Sequence, residues 1–99
     1  KRVQLRMSYE INWDEKAREF LRKLHSPDAR RIIKKVNAIA DEPLHYLEAL
    51  VEVKSYKLRA GDYRILIDVD ENEKNLFVVL IGHRRDIYQY VQRTGFSRK

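Results

Sequence analysis

The chain contains no cysteine, only two prolines and only three glycines in 99 residues. Without cysteine there can be no disulfide, no thiol nucleophile and no thiolate metal site. The longest uninterrupted apolar run, residues 76–81, is far too short to cross a membrane. No basic, apolar and small-residue pattern of an export signal opens the chain either. These absences predict a cytoplasmic protein with no membrane association.

The size and charge of the chain further limit the class of protein to which it can belong. A chain of 99 residues is expected to form one domain, residues 1–99, around one hydrophobic core. Its 21 lysines and arginines outnumber 15 aspartates and glutamates, which leaves a formal net charge of +6. Such an excess favours a polyanionic partner, because neutralised phosphates release their counterions. Charge alone does not separate RNA from DNA, an anionic membrane or an acidic protein, and it is also compatible with solubility alone.

The first half of the chain predicts one strand and two helices. Alternate residues are apolar between positions 3 and 11, which is typical of a half-buried strand. Apolar residues then recur at helical spacing, namely Trp13, Ala17, Phe20, Leu21 and Leu24. Asn12 or Asp14 can cap this helix. Ser26-Pro27 predicts the start of a second helix with serine as its cap, and Pro43 is expected to end it.

The second half predicts three strands and a closing helix. The predicted strands span residues 50–59, 63–70 and 76–83. Ala60-Gly61 and residues 71–75 would form the turns between them, and the last strand is the most apolar and is expected at the centre of the sheet. Residues 43–49 could be a loop or a half-turn. Residues 84–93 predict a helix, whose inward side chains would be Ile87, Tyr90 and Val91.

The expected fold is therefore α+β with the order β-α-α-β-β-β-α. The N-terminal helix pair would cover one face of a twisted, mainly antiparallel sheet. The other face would remain open and basic.

Three cations are expected to meet on that open face. Lys57 and Arg59 precede the predicted turn and share one parity of their strand. Arg64 follows the turn and points away from the apolar parity of the next strand. Like charges that face each other across a hairpin destabilise it by at least about a few tenths of a kcal/mol. A phosphate ligand is the simplest explanation for placing them there.

The segment after the last strand adds further candidates. Arg84 and Tyr88 are four residues apart and would share a helix face. A guanidinium can bind phosphate with two hydrogen bonds, and a phenol ring can stack on an unpaired base. Arg85 could bind RNA or simply pair with Asp86. His83 could be a catalytic acid or an ordinary histidine at a strand end.

A metal centre is not expected, and no cofactor is implied. The three histidines, His25, His45 and His83, are far apart in the sequence. Acidic residues crowd one turn, at Asp68, Asp70, Glu71 and Glu73. No glycine or terminal glutamate completes a calcium-binding motif there, which favours a solvated acidic turn.

Two motifs, Leu58-Arg59-Ala60-Gly61-Asp62-Tyr63-Arg64-Ile65 and Ile81-Gly82-His83-Arg84-Arg85-Asp86-Ile87-Tyr88, carry a family resemblance. In this order and at this separation they resemble the RelE branch of the RelE/ParE toxin superfamily, and the resemblance extends over nearly the whole chain. It implies a toxin of a type II toxin–antitoxin system, an endoribonuclease that cleaves mRNA in the ribosomal A site. It also implies inhibition by a RelB-like antitoxin protein.

The resemblance carries the catalytic roles to Lys57, Arg64, Arg84 and Tyr88. Many members have a second lysine two residues before the first, where this chain has Ser55. Lys54 lies one step away, and strand parity sends it to the opposite face unless a bulge intervenes. The general base therefore stays open between Lys57 and other groups. His83 occupies the family's basic position before the arginine, and Arg59 and Arg85 are further candidates for RNA binding.

The expected chemistry needs no metal, because RNA supplies its own nucleophile, the 2′-hydroxyl. Arg64 and Arg84 would clamp the phosphate and stabilise its added charge. Lys57, surrounded by cations, is expected to have a lowered pKa and to act as a base or a charge stabiliser. Tyr88 would stack on the base or orient the hydroxyl, and His83 would protonate the leaving oxygen.

Two other readings of the sequence remain. A ParE-type member would use the same scaffold to inhibit DNA gyrase. A non-catalytic RNA-binding module would explain the charge and the open face equally well, whereas a purely structural basic domain would leave the clustered hairpin charges unexplained.

Overall fold

The fold is built on one five-stranded sheet with helices on both faces, and the computed structural model describes residues 8–50 and 55–94 of it. The elements in chain order are β1 (Glu10–Trp13), α1 (Glu15–Lys23), α2 (Ser26–Ala38), α3 (Pro43–Tyr46), β2 (Glu48–Ala49), β3 (Tyr56–Ala60), β4 (Tyr63–Asp70), β5 (Asn75–His83) and α4 (Ile87–Thr94). Within the described ranges, no helix is both long and apolar enough to cross a membrane.

The sheet has the strand order β1-β5-β4-β3-β2. Only the β1–β5 pair is parallel, so the predicted α+β class with a mainly antiparallel sheet is confirmed. The prediction that β5 is the central strand is wrong, because β4 holds that place. Since β1 and β4 flank β5 on its two sides, β5 is an interior strand all the same, which accounts for its apolar sequence.

The first strand ends later than its pattern predicts. Within the described residues β1 ends at Trp13, which pairs with Val78 of β5 and so belongs to the sheet rather than to the helix. Asp14 is the helix cap, and its carboxylate accepts a hydrogen bond from the Lys16 amide at 3.2 Å. Residues 1–7, where most of the predicted strand falls, lie outside the described part.

The second helix differs from its prediction at both ends. His25, not Ser26, occupies the cap position of α2 and makes no side-chain capping bond, while Pro27 lies in the first turn as expected. The helix already ends at Ala38. Pro43 begins the short helix α3 instead of ending α2, because proline fits the first turn of a helix, where its missing N–H is not needed.

The main core lies between the sheet and the helix pair. The buried side chains Ala17, Ile32 and Val36 of the two helices meet Leu58 of β3, Ile65 and Ile67 of β4, and Leu76 and Val78 of β5. Complete burial of a side chain such as Ile32 stabilises the fold by about 1.5–3 kcal/mol. The predicted packing of the helix pair on one sheet face is therefore present.

The opposite face, predicted to be open, is partly covered. The closing helix starts at Ile87, three residues later than predicted, because residues 84–86 form a turn. Ile87 and Val91 of α4 are buried against Leu66, Val79 and Leu80 of the sheet. These apolar side chains form a second, smaller core that covers part of this face.

Gly82 lets α4 lie close to β5, and its replacement tests that packing. A Cβ atom at position 82 would lie 2.8 Å from Cδ1 and 3.4 Å from Cβ of Ile87. We expect Gly82→Ala to lower the free energy of unfolding by about 1–3 kcal/mol, measured by urea denaturation. Because Ile87→Val removes the closest atom, the double variant should lose less stability than the two single losses add up to. If the stability losses of the two single variants simply add up in the double variant, the contact between position 82 and Ile87 does not limit how closely α4 packs on β5.

Candidate active site

The β3–β4 hairpin brings cations together at one end of the sheet. Gly61 and Asp62 form its turn, and Gly61 has a φ of +62°, which favours glycine at the first central position of such a turn. Arg59 lies directly opposite Arg64, and Lys57 lies opposite Leu66. Residues paired in this way share a face, so all three cations lie on the side away from the helix pair.

Arg64 is anchored to the turn while part of its guanidinium remains available. Only 9% of the residue is exposed, and Nη1 donates hydrogen bonds to the carbonyl oxygens of Gly61 and Tyr63, both at 2.9 Å. Its Nε and Nη2 have no described partner. Among the described residues, no side-chain nitrogen without a partner is buried, so these two nitrogens reach solvent. Their N–H groups suit two oxygens of one phosphate.

Arg84 lies at the same turn. Its amide donates a hydrogen bond of 2.7 Å to the Asp62 carbonyl, and its Nε is 3.5 Å from the Asp62 carboxylate. The prediction that Arg84 shares a helix face with Tyr88 is wrong, because α4 begins only at Ile87. Its side chain is 57% exposed, so the weak pair with Asp62 leaves the guanidinium accessible to a ligand.

Lys57 has an acidic partner that the sequence did not indicate. Its Nζ is 3.1 Å from Oε1 of Glu48, which lies directly opposite on β2, and 5.4 Å from the ring centre of Tyr88. The hydrogen bond with Glu48, followed by that with Tyr88, raises the pKa of Lys57 above its usual value. The expected lowered pKa is therefore wrong, because an opposite charge in contact favours the ammonium form more than distant cations oppose it.

His83 lies on the other face of the sheet. It is the register partner of Tyr63, with the two ring centres 5.8 Å apart, and Tyr63 packs in turn on Phe20 of α1. Its Nδ1 accepts a hydrogen bond from the Arg85 amide at 3.1 Å. The fold thus directs His83 toward the helix pair and away from Arg64, which removes the geometric basis for its predicted role as an acid.

The remaining candidates are placed as follows. Ser55 is buried and donates a hydrogen bond of 2.6 Å to the Asp68 carboxylate. Arg59 is exposed on the same face as Lys57, and Arg85 is exposed in the turn before α4. Arg85 forms no salt bridge with any described residue, so the alternative pairing with Asp86 is absent from that part of the chain. Lys54 lies outside the described residues.

Glu48 was missed because residues 43–49 have no readable pattern. The strand that carries it has only two residues and is recognisable only through its pairing with β3. Across the described ranges, no three histidine or acidic side chains come close enough together to hold a metal ion. The chemical groups of the site, among the described residues, are three guanidinium groups (Arg59, Arg64 and Arg84), one ammonium (Lys57), one phenol (Tyr88) and two carboxylates (Glu48 and Asp62).

Comparison with known proteins identifies a matching family and a similar sequence. Residues 11–88 match the sequence model of the family described as "ParE toxin of type II toxin-antitoxin system, parDE". The mRNA interferase toxin RelE of Escherichia coli K12 is 28% identical over 81 residues, which cover 79% of this chain and 85% of that protein.

Solved structures share the fold. A RelBE2 toxin–antitoxin complex from Mycobacterium tuberculosis has a TM-score of 0.73 at 22% identity, covering 79% of this chain and all of the matched one. The intact RelBE toxin–antitoxin complex of E. coli has a TM-score of 0.65 at 26% identity, covering 77% of this chain and 96% of the matched one.

Proposed function

Because the chain belongs to the ParE toxin family of type II toxin–antitoxin systems, we propose that it is a RelE-type toxin, an endoribonuclease that cleaves mRNA without a metal ion. The observation that supports this proposal is that Lys57, Arg59 and Arg64 share one face of the β3–β4 hairpin, while Arg84 is held at its turn through Asp62. The similarity to an mRNA interferase of E. coli supports the same reaction.

In the proposed reaction, the cations of the site stabilise negative charge on the phosphate. When the 2′-hydroxyl attacks the neighbouring phosphorus, negative charge accumulates on the phosphoryl oxygens. The free edge of Arg64 and the exposed guanidinium of Arg84 stabilise that charge, as does the ammonium of Lys57, which stays protonated beside Glu48. The turn holds Arg64 and the cross-strand pair with Glu48 holds Lys57 before the reaction begins.

Tyr88 has a separate role at the base of the nucleotide. Its half-buried ring lies over Nζ of Lys57, so it adjoins the phosphate-binding cations. Aromatic stacking on an unpaired base contributes about 1–3 kcal/mol per base. In the proposed complex the ring orients the nucleotide so that its 2′-hydroxyl faces the phosphorus.

The proposed partners follow from the same family. The E. coli relative was solved as a RelBE toxin–antitoxin complex, and we assign a RelB-like antitoxin to this chain by analogy. The net charge of +6 favours an acidic antitoxin segment as well as RNA. Messenger RNA on the ribosome is the proposed substrate, which places the toxin in the cytoplasm.

Removal of the nucleophile from the RNA tests the reaction directly. A single 2′-deoxy substitution at the cleaved nucleotide should abolish cutting at that position while binding is retained, because the attacking oxygen is gone but the phosphates remain. Cleavage is read from 5′ ends, with free mRNA and mRNA-programmed ribosomes compared in parallel. Continued cutting at the deoxy position would exclude attack by the 2′-hydroxyl.

The family description also names ParE, so gyrase inhibition is the second candidate. It predicts a supercoiling defect with intact mRNA, whereas an RNA-cleaving toxin predicts mRNA fragments with normal supercoiling. Both readouts can be taken from the same cells after brief expression. Retention of Lys57, Arg64, Arg84 and Tyr88 favours RNA cleavage.

A further inference from the structure

The proposed reaction needs a group that removes the proton from the 2′-hydroxyl, and the cations cannot supply it. Arginine does not deprotonate in proteins, which excludes Arg64 and Arg84. Lys57 is held in its ammonium form by the contacts with Glu48 and Tyr88. His83 lies on the other face of the sheet, beside Tyr63. Among the described residues, the carboxylates on the hairpin face are the remaining proton acceptors.

Glu48 has the required position. Its backbone pairs directly with Lys57 across β2 and β3, so the sheet register holds the carboxylate on the same face as the cations. Oε1 contacts the Lys57 ammonium at 3.1 Å. The side chain is 67% exposed, and Oε2 has no described partner. One carboxylate oxygen is thus engaged while the other faces solvent at the site.

The other carboxylates on this side are less suitable. Asp62 lies 3.5 Å from Nε of Arg84 at the tip of the hairpin, where it competes for a phosphate-binding cation. Asp68 is half-buried and accepts a hydrogen bond of 2.6 Å from Ser55. Glu48 alone among these three is both exposed and in contact with Lys57.

We propose that Glu48 is the general base of the reaction, a role that rests on the proposed RNA cleavage. The Glu48 carboxylate takes the proton of the 2′-hydroxyl as the bond from that oxygen to phosphorus forms. The bond from phosphorus to the 5′-oxygen breaks, and this oxygen takes a proton from water. The products are a 2′,3′-cyclic phosphate and a 5′-hydroxyl end, with no oxidant, reductant or metal required.

The Lys57–Glu48 pair divides two tasks between adjacent groups. Lys57 stays charged and binds a phosphoryl oxygen that does not leave, while Glu48 accepts the proton on the side of attack. Two groups only 3.1 Å apart are too close to serve the attacking and the leaving oxygens at once, since these lie on opposite sides of the phosphorus. A lysine therefore stabilises charge here and a carboxylate moves the proton.

Glu48→Gln tests the proposal, because glutamine keeps the shape of the side chain and can still accept the hydrogen bond from Lys57. Single-turnover cleavage of mRNA should slow by about 100-fold, in the range typical of a lost general base. The loss should fall on the cleavage rate and leave the affinity for RNA unchanged, a split that a purely structural role would not produce.

Chemical rescue and a matched control complete the experiment. Formate should restore part of the activity of Glu48→Ala, because the small carboxylate can enter the vacated space. Glu73 is an exposed carboxylate in the β4–β5 turn, and the control variant Glu73→Gln should cleave RNA like the wild type. The proposal is overturned if Glu48→Gln retains cleavage within about threefold of wild type, if RNA binding is lost together with cleavage, or if formate gives no rescue of Glu48→Ala. Failure of the wild type itself to cut RNA would instead overturn the proposed function.

Discussion

Arg64→Lys should reduce RNA cleavage by about 100- to 1000-fold, the loss typical of removing one donor that stabilises transition-state charge. Lysine keeps the positive charge but has no planar edge with parallel N–H groups. It also cannot hold the Gly61 and Tyr63 carbonyls while presenting a pair of donors to phosphate, as Arg64 does. The measurement is single-turnover cleavage, normalised to the folded fraction from circular dichroism.

A stability measurement and a control variant on the surface distinguish the role of Arg64 in holding the turn from its role in binding phosphate. Loss of one hydrogen bond to the turn should lower the free energy of unfolding by only about 1 kcal/mol. Arg30→Lys makes the same chemical change on an exposed part of α2 and should alter neither cleavage nor stability. If Arg64→Lys cut RNA within about threefold of wild type, a guanidinium at this position would not be required for catalysis.

The hairpin shows what strand parity can establish from a sequence. Alternation placed Lys57, Arg59 and Arg64 on one face, and the β3–β4 register has them there. Strand parity is enough to place these cations on one face, because a two-residue turn at Gly61 and Asp62 fixes which residues of β3 and β4 are paired. The apolar positions on the opposite parity, such as Ile65, are buried against the helix pair as predicted.

The charge state of Lys57 could not be predicted in the same way. It depends on Glu48, which belongs to a strand of two residues with no alternation to detect. Such a strand forms only because β3 offers it an edge, so it is a consequence of the tertiary structure. The sequence showed the surrounding cations but not the one carboxylate that reverses their effect on the lysine pKa.

The positions of His83 and α4 also depend on long-range pairing. Where β5 ends in the sequence does not tell which face its last residue takes, since that follows from its register with Tyr63. Likewise, the helix stripe with Ile87 and Val91 predicted an inward face but not the surface it would cover. The helical placement of Arg84 was wrong, since α4 begins at Ile87, and His83 lies on the face opposite the hairpin cations.

Arg84→Ala should slow cleavage to a similar extent, by about 100-fold or more, without measurable loss of stability. Unlike Arg64, its side chain is 57% exposed, and its only described ion pair is the 3.5 Å contact with Asp62. An exposed pair of this kind contributes about 0–1 kcal/mol. The backbone bond from the Arg84 amide to the Asp62 carbonyl is unaffected by the substitution, so the turn is expected to persist.

Asp62→Asn provides the matched control for this prediction, because it breaks the same ion pair from the other side. If Arg84 acts on the phosphate, Asp62→Asn should retain or increase cleavage, since the guanidinium loses a competing partner. If Arg84 served only to fix the turn through Asp62, both variants would lose activity together. Equal losses in the two variants, measured by single-turnover cleavage, would therefore remove Arg84 from the phosphate-binding site and leave Arg64 and Lys57 to stabilise the transition state.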